Sequence, residues 1–225
     1  MENKLQKSEV TQQRILESAL GLFAEKGYSS ATMRDIAARS GCSVGLAYRY
    51  YRSKDAMVLA LYQQLMEKYS DTVTNLEPGS LGMRWGAATR ADLDRVTQHR
   101  MALMGLTSAG LTPGSATQVL GSESKYIRLR MLEIFEELVS GSQDLPRSVD
   151  VKGLATLMYG LHLLFVLFWL QDPTPNQRAT ASLVVLCEET MGWLRFLSRL
   201  PGFRTLLVRL SEIMGPIMTG EVSPG

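Results

Sequence analysis

Cysteine and histidine are scarce in this chain, and their scarcity limits the chemistry that the protein can perform. The 225 residues include only two cysteines, Cys42 and Cys187, and two histidines, His99 and His162. These four residues match no metal-ligand spacing, so the sequence predicts no metal site and no cofactor. The N-terminus lacks the apolar run of a signal peptide, and we therefore expect a cytoplasmic protein whose two thiols are reduced, small and buried.

Sequence signatures of catalysis are missing as well. The chain contains no Gly-x-Ser-x-Gly, no phosphate-binding lysine loop and no Gly-x-Gly-x-x-Gly. It also offers no pair of carboxylates at a helical spacing in an apolar setting. We therefore expect a protein that is not an enzyme.

Net charge is small, but its distribution along the chain is uneven. The formal charge is +2. Residues 1–55 contain nine Lys and Arg against six Asp and Glu, which gives +3 and leaves about −1 for the remainder. The positive excess therefore lies in the N-terminal quarter, where it could meet a polyanion.

Alternating strand patterns are nearly absent, and apolar residues recur at helical spacing between Pro and Gly breaks. The sequence predicts an all-α protein with a three-helix N-terminal domain at 1–55, a linking helix at 54–73 and a larger helical domain at 75–225. The predicted helices cover 9–26, 33–40, 44–51, 54–73, 81–97, 99–110, 122–140, 150–171, 176–199 and 203–218.

One predicted helix raises the question of a membrane. Residues 153–170 are apolar at every position except Thr156 and His162. The run is marginal in length for a span and has no flanking Lys/Arg cluster. A buried core or interface helix is favoured, and a helical membrane or lipid-associated protein is kept as an alternative.

The window from Thr32 to Asp55 predicts two short helices joined by a tight turn. Thr32 and Asp35 have the spacing of a capping box, Gly41 suits a left-handed turn residue, and Ser43 can cap the next helix. This spacing is typical of a helix-turn-helix, whose second helix enters the major groove of DNA. It also fits a purely structural corner between two helices.

The run from Gln13 to Met57 resembles the N-terminal domain of the tetracycline-repressor (TetR/AcrR-type) family of bacterial transcriptional regulators. The similarity is carried by ILESALGLFAEKGYSSATM, RDIAARSGCS and VGLAYRYYRSKDAM in this order, with Tyr48, Tyr51 and Lys54 at the family's positions. The resemblance implies an N-terminal helix-turn-helix domain and a larger helical domain for ligand binding and dimerisation.

The resemblance also implies which residues contact DNA, because in this family the recognition helix and its flanks make most of the contacts. The implied residues are Thr32, Arg34, Ser43, Val44, Gly45, Leu46, Tyr48, Arg49, Tyr50 and Lys54. Arg49 could equally be a solvated surface charge, whereas Tyr51 is expected in the core. The order Gly45-Leu46-Ala47-Tyr48 departs from the family's usual Gly-Thr-Leu-Tyr, which leaves open which base pairs are read. Because the implied recognition helix contains no Asn or Gln to pair with a base, thymine methyl and phosphate contacts are expected to carry much of the affinity.

The remaining expectations concern partners. The resemblance implies a homodimer through helices at about 150–171 and 176–199, bound to a palindromic double-stranded DNA operator. It also implies a repressor that a largely hydrophobic small molecule releases from DNA; a DNA-binding protein without a ligand is the alternative. Flexible or aromatic candidates for the ligand pocket are Met101, Met104, Tyr126, Met131, Phe135, Tyr159, His162, Phe165 and Trp169. For each of them, ordinary core packing is favoured over a role in lining the pocket.

Overall fold

A computed structural model describes residues 2–111, 114–115, 117–197 and 200–219. These residues form α-helices and no β-strand, apart from one isolated bridge between Gly79 and Ser142. The all-α fold class is thus confirmed. The helices are α1 (Glu2–Lys26), α2 (Met33–Ser40), α3 (Val44–Tyr50), α4 (Lys54–Thr74), α5 (Leu81–Val96), α6 (Arg100–Leu111), α7 (Lys125–Ser140), α8 (Val151–Gln171), α9 (Arg178–Met191), α10 (Leu194–Leu197) and α11 (Pro201–Thr219).

The single helix predicted over 176–199 is wrong. Asn176 and Gln177 have left-handed backbone conformations, with φ values of 55° and 49°, and they belong to a 3₁₀ turn that precedes α9. The Asp172 carboxylate accepts hydrogen bonds from Thr174 and Thr180, which fixes the entry into α9. A turn at residues 192–193 then separates α9 from α10, and residues 198 and 199 lie outside the described residues.

The chain divides into two compact units, and the first division falls within α4, which covers the predicted linking helix at 54–73. The first unit comprises Met1–Gln64 and Gln98–Ser124, and the second comprises Leu65–Thr97 and Lys125–Gly225. Residues 98–124 join the first unit because α6 packs against α1. The assignment of functions to the two parts of the chain stays a prediction.

The first unit is built around α1, which packs against α2 and α6, while α2 packs against α3. Its buried face repeats at helical spacing through Ile15, Leu16, Ala19, Leu20 and Phe23. A Cβ added at Gly105 of α6 would lie 3.0 Å from the Phe23 carbonyl oxygen, so a glycine there permits the close approach of the two helices. The recognition elements α2 and α3 thus rest on a packed support.

In the second unit, α7 packs against α8 and α11, and α5 packs against α9. The α5–α9 contact is close, because a Cβ added at Gly82 would collide with the backbone oxygen of Glu188. The same glutamate accepts two hydrogen bonds from Arg90, at 2.9 and 2.6 Å. Inside the unit, Arg128 Nε donates to the Met218 carbonyl at 2.9 Å and connects α7 to α11.

Helix α8 is long and apolar enough to cross a membrane by length and composition, and it is the one such helix in the described part of the chain. Of the 18 consecutive residues with the highest hydropathy in this helix, 61% are buried. One face of the helix therefore packs into the core of the second unit. Its exposed large apolar side chains are Leu161, Leu164 and Phe168.

The expectation that both cysteines are buried is wrong, since Cys42 and Cys187 are half-buried free thiols. Cys42 lies in the turn between α2 and α3, where its Sγ is 3.2 Å from Ser40 Oγ. A turn residue keeps part of its side chain in solvent because the chain reverses direction at the surface.

Candidate DNA-binding surface

The start of α2 is fixed by the predicted capping box. Asp35 N donates to Thr32 Oγ1 at 3.2 Å, and Thr32 N donates in return to Asp35 Oδ2 at 2.9 Å. Lys26 Nζ lies 2.6 Å from the same carboxylate oxygen. The Lys26 and Thr32 hydrogen bonds hold the pKa of Asp35 well below its usual range. One carboxylate therefore connects the end of α1 to the start of α2.

The turn between α2 and α3 uses the two devices that its sequence predicts. Gly41 has a φ of 67°, a left-handed conformation that glycine adopts without steric cost. Ser43 Oγ accepts a hydrogen bond from Leu46 N at 3.2 Å and caps α3. The Cys42 N–H donates to the Ala37 carbonyl at 3.0 Å, which closes the turn. Local chemistry thus determines the direction in which α3 leaves α2.

Helix α3 has one buried and one exposed face. Ala47 is fully buried, and Tyr51, which follows the helix, is 4% exposed and is a core residue as predicted. Val44, Gly45, Tyr48 and Arg49 are exposed. A Cβ added at Gly45 would meet no described atom within 4 Å. Packing within the protein therefore does not explain this glycine, and open space lies beside it on the exposed face.

Basic residues near this surface fall into two groups. Lys26 and Arg39 are paired with Asp35 and Glu25, each at 2.6 Å. Arg34 and Arg49 are exposed and form no ion pair with any residue of the described ranges. The paired cations connect helices, and the unpaired guanidinium groups are available to an external anion.

Lys54, a predicted phosphate contact, is engaged inside the protein. Its Nζ donates to the Tyr28 carbonyl at 2.6 Å and lies 4.5 Å from the centre of the Tyr28 ring. Desolvation lowers the pKa of Lys54, and Tyr28 in turn donates its hydroxyl to Asp55. A phosphate contact by Lys54 would have to replace these bonds. Tyr28 was not found from the sequence, because nothing in its spacing indicates a partner 27 residues away.

Three further predicted contacts also have intramolecular roles. Thr32 is exposed, but its hydroxyl belongs to the capping box, and Ser43 caps α3. Tyr50 is half-buried, with its hydroxyl 3.2 Å from Ser8 Oγ. Leu46 is half-buried rather than fully exposed. The face most open to a partner therefore consists of Arg34, Val44, Gly45, Tyr48 and Arg49.

The nine predicted ligand-pocket residues do not form one group. Met131, Phe135, Tyr159 and Phe165 belong to one buried cluster of the second unit. The His162 ring centre lies 5.5 Å from that of Phe135, and Trp169 is buried as well. Two other candidates are largely exposed, namely Met101 at 58% and Tyr126 at 64%, and Met101 and Met104 belong to the first unit. Residue type alone could not distinguish the core face of a helix from its outer face.

Buried polar residues of the second unit include His162, a predicted pocket candidate, and three residues that were not predicted as site residues. Tyr69 Oη, Thr89 Oγ1, Asp92 Oδ1 and His162 Nδ1 are buried atoms without a hydrogen-bond partner in the described structure. Burial raises the pKa of Asp92 to about 6 and lowers the pKa of His162 to about 4. The spacing of Asp92 and Arg95 could have suggested an ion pair, but no sequence pattern singles out Thr89.

The geometry defines a class of protein: a helix-turn-helix on a packed three-helix support, accompanied by a second, larger helical unit. Residues 15–61 match the family described as bacterial regulatory proteins, tetR family. The predicted resemblance is confirmed for the N-terminal segment of the chain, which carries the match to this family.

Individual proteins agree with this assignment. The HTH-type transcriptional repressor Rv3405c of Mycobacterium tuberculosis is 37% identical over 67 residues, which are 30% of this chain and 36% of that protein. The fatty acid degradation regulator FadR from Bacillus halodurans is similar in structure, with a TM-score of 0.64, 17% identity, and coverage of 81% of this chain and 94% of that one. Thermus thermophilus FadR, a TetR family repressor in complex with lauroyl-CoA, has a TM-score of 0.55 and 18% identity, with 84% and 95% covered.

These likenesses differ in what they establish. The matched region spans between 22% and 36% of the length of the first curated relatives. The structural matches, at under a fifth identity, extend the likeness of fold over most of the chain. The proteins named here are regulators of transcription, in agreement with the prediction that the chain is not an enzyme.

Proposed function

We propose that the protein is a homodimeric, cytoplasmic transcriptional repressor that binds a palindromic DNA operator and is released from it by a small-molecule effector with a large apolar part. The observation that carries the proposal is the exposed face of α3, where Val44, Gly45, Tyr48 and Arg49 point away from a helix whose opposite face is anchored by Ala47. Small, apolar and basic groups at one surface suit the major groove and its flanking phosphates.

The unpaired arginines and Tyr48 are the side chains that we expect to contact phosphates and base edges of the DNA. Arg34, in the first turn of α2, and Arg49, in the last turn of α3, can each hold a phosphate or a guanine edge. Tyr48 is 49% exposed and offers both a ring for a thymine methyl and a hydroxyl for a phosphate. Because phosphate contacts release counterions, operator affinity should fall steeply as salt is raised.

An exposed apolar stripe on α8 supports the proposed dimer. Leu161, Leu164 and Phe168 are 49%, 64% and 43% exposed, and their spacing places them on one face of the helix. Such a stripe on a soluble protein marks a surface that another molecule covers. A second copy of the chain would cover it and would also supply the second recognition helix that a palindrome requires.

Helix α4 provides a physical route from an effector to DNA. Its first residues belong to the first compact unit and its last residues to the second. Tyr69, near its end, contacts the aromatic core of the second unit, where an apolar ligand could insert. A ligand can drive release only if it binds the DNA-free arrangement more tightly than the DNA-bound one. The complex of Thermus thermophilus FadR with lauroyl-CoA supports the proposal of a small-molecule effector, because that repressor has a similar fold.

The DNA contact is tested with single substitutions measured on one operator duplex by fluorescence anisotropy. Arg34→Ala and Tyr48→Ala should each weaken binding at least about fivefold, the low end of the loss for a base or phosphate contact. Arg209→Ala, which removes an equally exposed charge from α11, is the matched control and should leave affinity unchanged. Equal affinities for all three variants would contradict the proposed surface.

The dimer is tested by sedimentation velocity without detergent. Leu164→Glu should convert the dimer to a folded monomer, because it places a charge in the apolar stripe. Leu111→Glu is the control, since Leu111 is 60% exposed but lies on α6. A dimer that survives Leu164→Glu would contradict this interface. A chain that stays in solution only with detergent would favour the membrane-associated alternative.

A further inference from the structure

Of the buried side-chain atoms that lack a hydrogen-bond partner in the described part of the second unit, four belong to residues other than arginine. They are Tyr69 Oη on α4, Thr89 Oγ1 and Asp92 Oδ1 on α5, and His162 Nδ1 on α8. An unsatisfied buried polar atom is expensive, and folded proteins seldom keep one without a water, an ion or a ligand to bind it. Several in one unit require a common explanation.

One short contact, one charge interaction and one shared helix face relate the four side chains. The ring centres of Tyr69 and His162 are 5.4 Å apart. The charge of Asp92 is close enough to help raise the pKa of Tyr69, although burial contributes more. Arg95, one turn beyond Asp92, donates to Thr72 Oγ1 at 3.0 Å and so holds α5 against α4 beside Tyr69. Thr89 precedes Asp92 by three residues and therefore shares its helix face.

Aromatic rings lie beside Tyr69 and His162. The Phe135 ring centre lies 5.9 Å from that of Tyr69, 5.5 Å from that of His162 and 5.8 Å from that of Tyr159. A ligand that reached the polar atoms would therefore bring an apolar or ring-containing body against these faces.

The charges of the group cancel at neutral pH. Arg95 Nη1 lies 3.5 Å from Asp92 Oδ1, so the carboxylate already has a counter-charge. His162 is neutral at pH 7 because burial lowers its pKa to about 4. A ligand with a net charge would lose its hydration beside these four residues without gaining an opposite charge from them. Hydroxyl, imidazole and carboxylate groups can instead donate to or accept from a neutral amide or hydroxyl.

We propose that Tyr69, Thr89, Asp92 and His162 form the polar end of the effector site, and that the effector is a neutral molecule with an apolar or aromatic body and at least two hydrogen-bonding groups. The inference rests on the proposed effector-responsive function. It narrows the expectation of a largely hydrophobic ligand by specifying the chemistry of its head group.

Four small probes that share one ring test the head group. Benzamide is neutral and hydrogen-bonding, benzylamine is cationic, benzoate is anionic and ethylbenzene has no hydrogen-bonding group. The full chain is labelled at histidine, and NMR then resolves only two imidazoles, His99 and His162, which His162→Gln assigns. Benzamide should shift the His162 signal saturably and leave that of His99 unmoved, and the other three probes should bind at least tenfold more weakly.

Each alternative result overturns a stated part of the inference. Equal binding of ethylbenzene and benzamide would show an apolar cavity in which the polar atoms have no role. Preference for benzylamine or benzoate would contradict the neutral head group. A His162 signal that no probe shifts would contradict the site itself.

Conservative variants separate the site from ordinary core packing. Tyr69→Phe and Thr89→Val each remove one polar atom that has no hydrogen-bond partner. Each should therefore raise Tm by about 2–4 °C and lower the affinity for benzamide at least fivefold. Tyr126→Phe, at a largely exposed tyrosine of the same unit, should change neither quantity. A lower Tm for both variants would show that the hydroxyls are already satisfied in the free protein and would overturn the inference.

The readouts are also independent of DNA. If benzamide binds at His162 but leaves operator affinity unchanged, the site stands and the proposed release of DNA by an effector at this site fails. If the protein does not bind DNA at all, the probe titration still decides whether the site exists.

Discussion

A substitution at Gly45 can separate the folding of α3 from its proposed contact with DNA. It lies in the first turn of α3, is exposed, and would accommodate a Cβ with no described atom within 4 Å. Gly45→Ala therefore adds a methyl group that the protein itself tolerates. If DNA approaches this face closely, the same methyl group occupies space that the duplex needs.

The two effects have opposite signs and estimable sizes. Replacing a helical glycine by alanine stabilises a helix by roughly 0.5–1 kcal/mol. For a chain of this size each kcal/mol corresponds to a change in Tm of about 2–4 °C. An extra methyl group in a close-packed contact costs about 1–3 kcal/mol, which corresponds to a loss of operator affinity of about fivefold to 150-fold. The variant should thus be more stable and a weaker DNA binder.

Calorimetric unfolding and fluorescence anisotropy on one operator duplex measure the two quantities on the same preparation. Gly202→Ala is the matched control, because Gly202 also lies in the first turn of a helix, α11, with open space for a Cβ. It should raise Tm to a similar extent without changing operator affinity. Unchanged affinity for Gly45→Ala would refute close approach of DNA at this residue, and a lower Tm would refute the open environment assigned to it.

Three other predictions concern the fold. Thr32→Ala removes the capping box of α2 and should cost about 1 kcal/mol in urea unfolding, whereas Ser29→Ala in the preceding loop should cost almost nothing. As the pH falls from 6.5 to about 4, His162 takes up a proton in the unfolded chain but not in the native protein, where it is buried. The free energy of unfolding should therefore decrease by up to about 1.4 kcal/mol per pH unit relative to that of His162→Gln. A difference between the two proteins that stays constant across this range would contradict the burial of His162. Gly82→Ala should lower stability by about 1–3 kcal/mol, because its Cβ would meet the backbone of Glu188, which cannot swing aside; thermal unfolding that matches the parent would show that α5 and α9 are not in close contact.

Features encoded by a few neighbouring residues were predictable from the sequence. The capping box of Thr32 and Asp35, the left-handed Gly41 and the Ser43 cap are interactions within three residues, and the structure contains all of them. Helical periodicity likewise located the core face of α1. Such signals survive in a single sequence because they do not depend on how distant segments pack.

Features that depend on distant segments were not predictable. The break before α9 depends on the Asp172 bonds to Thr180, eight residues away, and Lys54 is drawn inward by the Tyr28 carbonyl, which lies 26 residues away. Exposed Tyr126 and buried Phe135 are both aromatic, and only the packing of α7 distinguishes them. The unpartnered group of Tyr69, Thr89 and Asp92 is likewise visible only once α4 and α5 have been placed together.

Selection of bound duplexes from a random library tests the central claim most directly. The purified chain, without effector, should enrich an inverted repeat with half-sites centred about one helical turn or more apart, as the two recognition helices of the proposed symmetric dimer require. The Arg34→Ala, Tyr48→Ala double variant should enrich nothing above background under the same conditions. An absence of enrichment by the parent protein, or enrichment of the same sequences by the double variant, would contradict the assignment of this surface as the DNA-binding site.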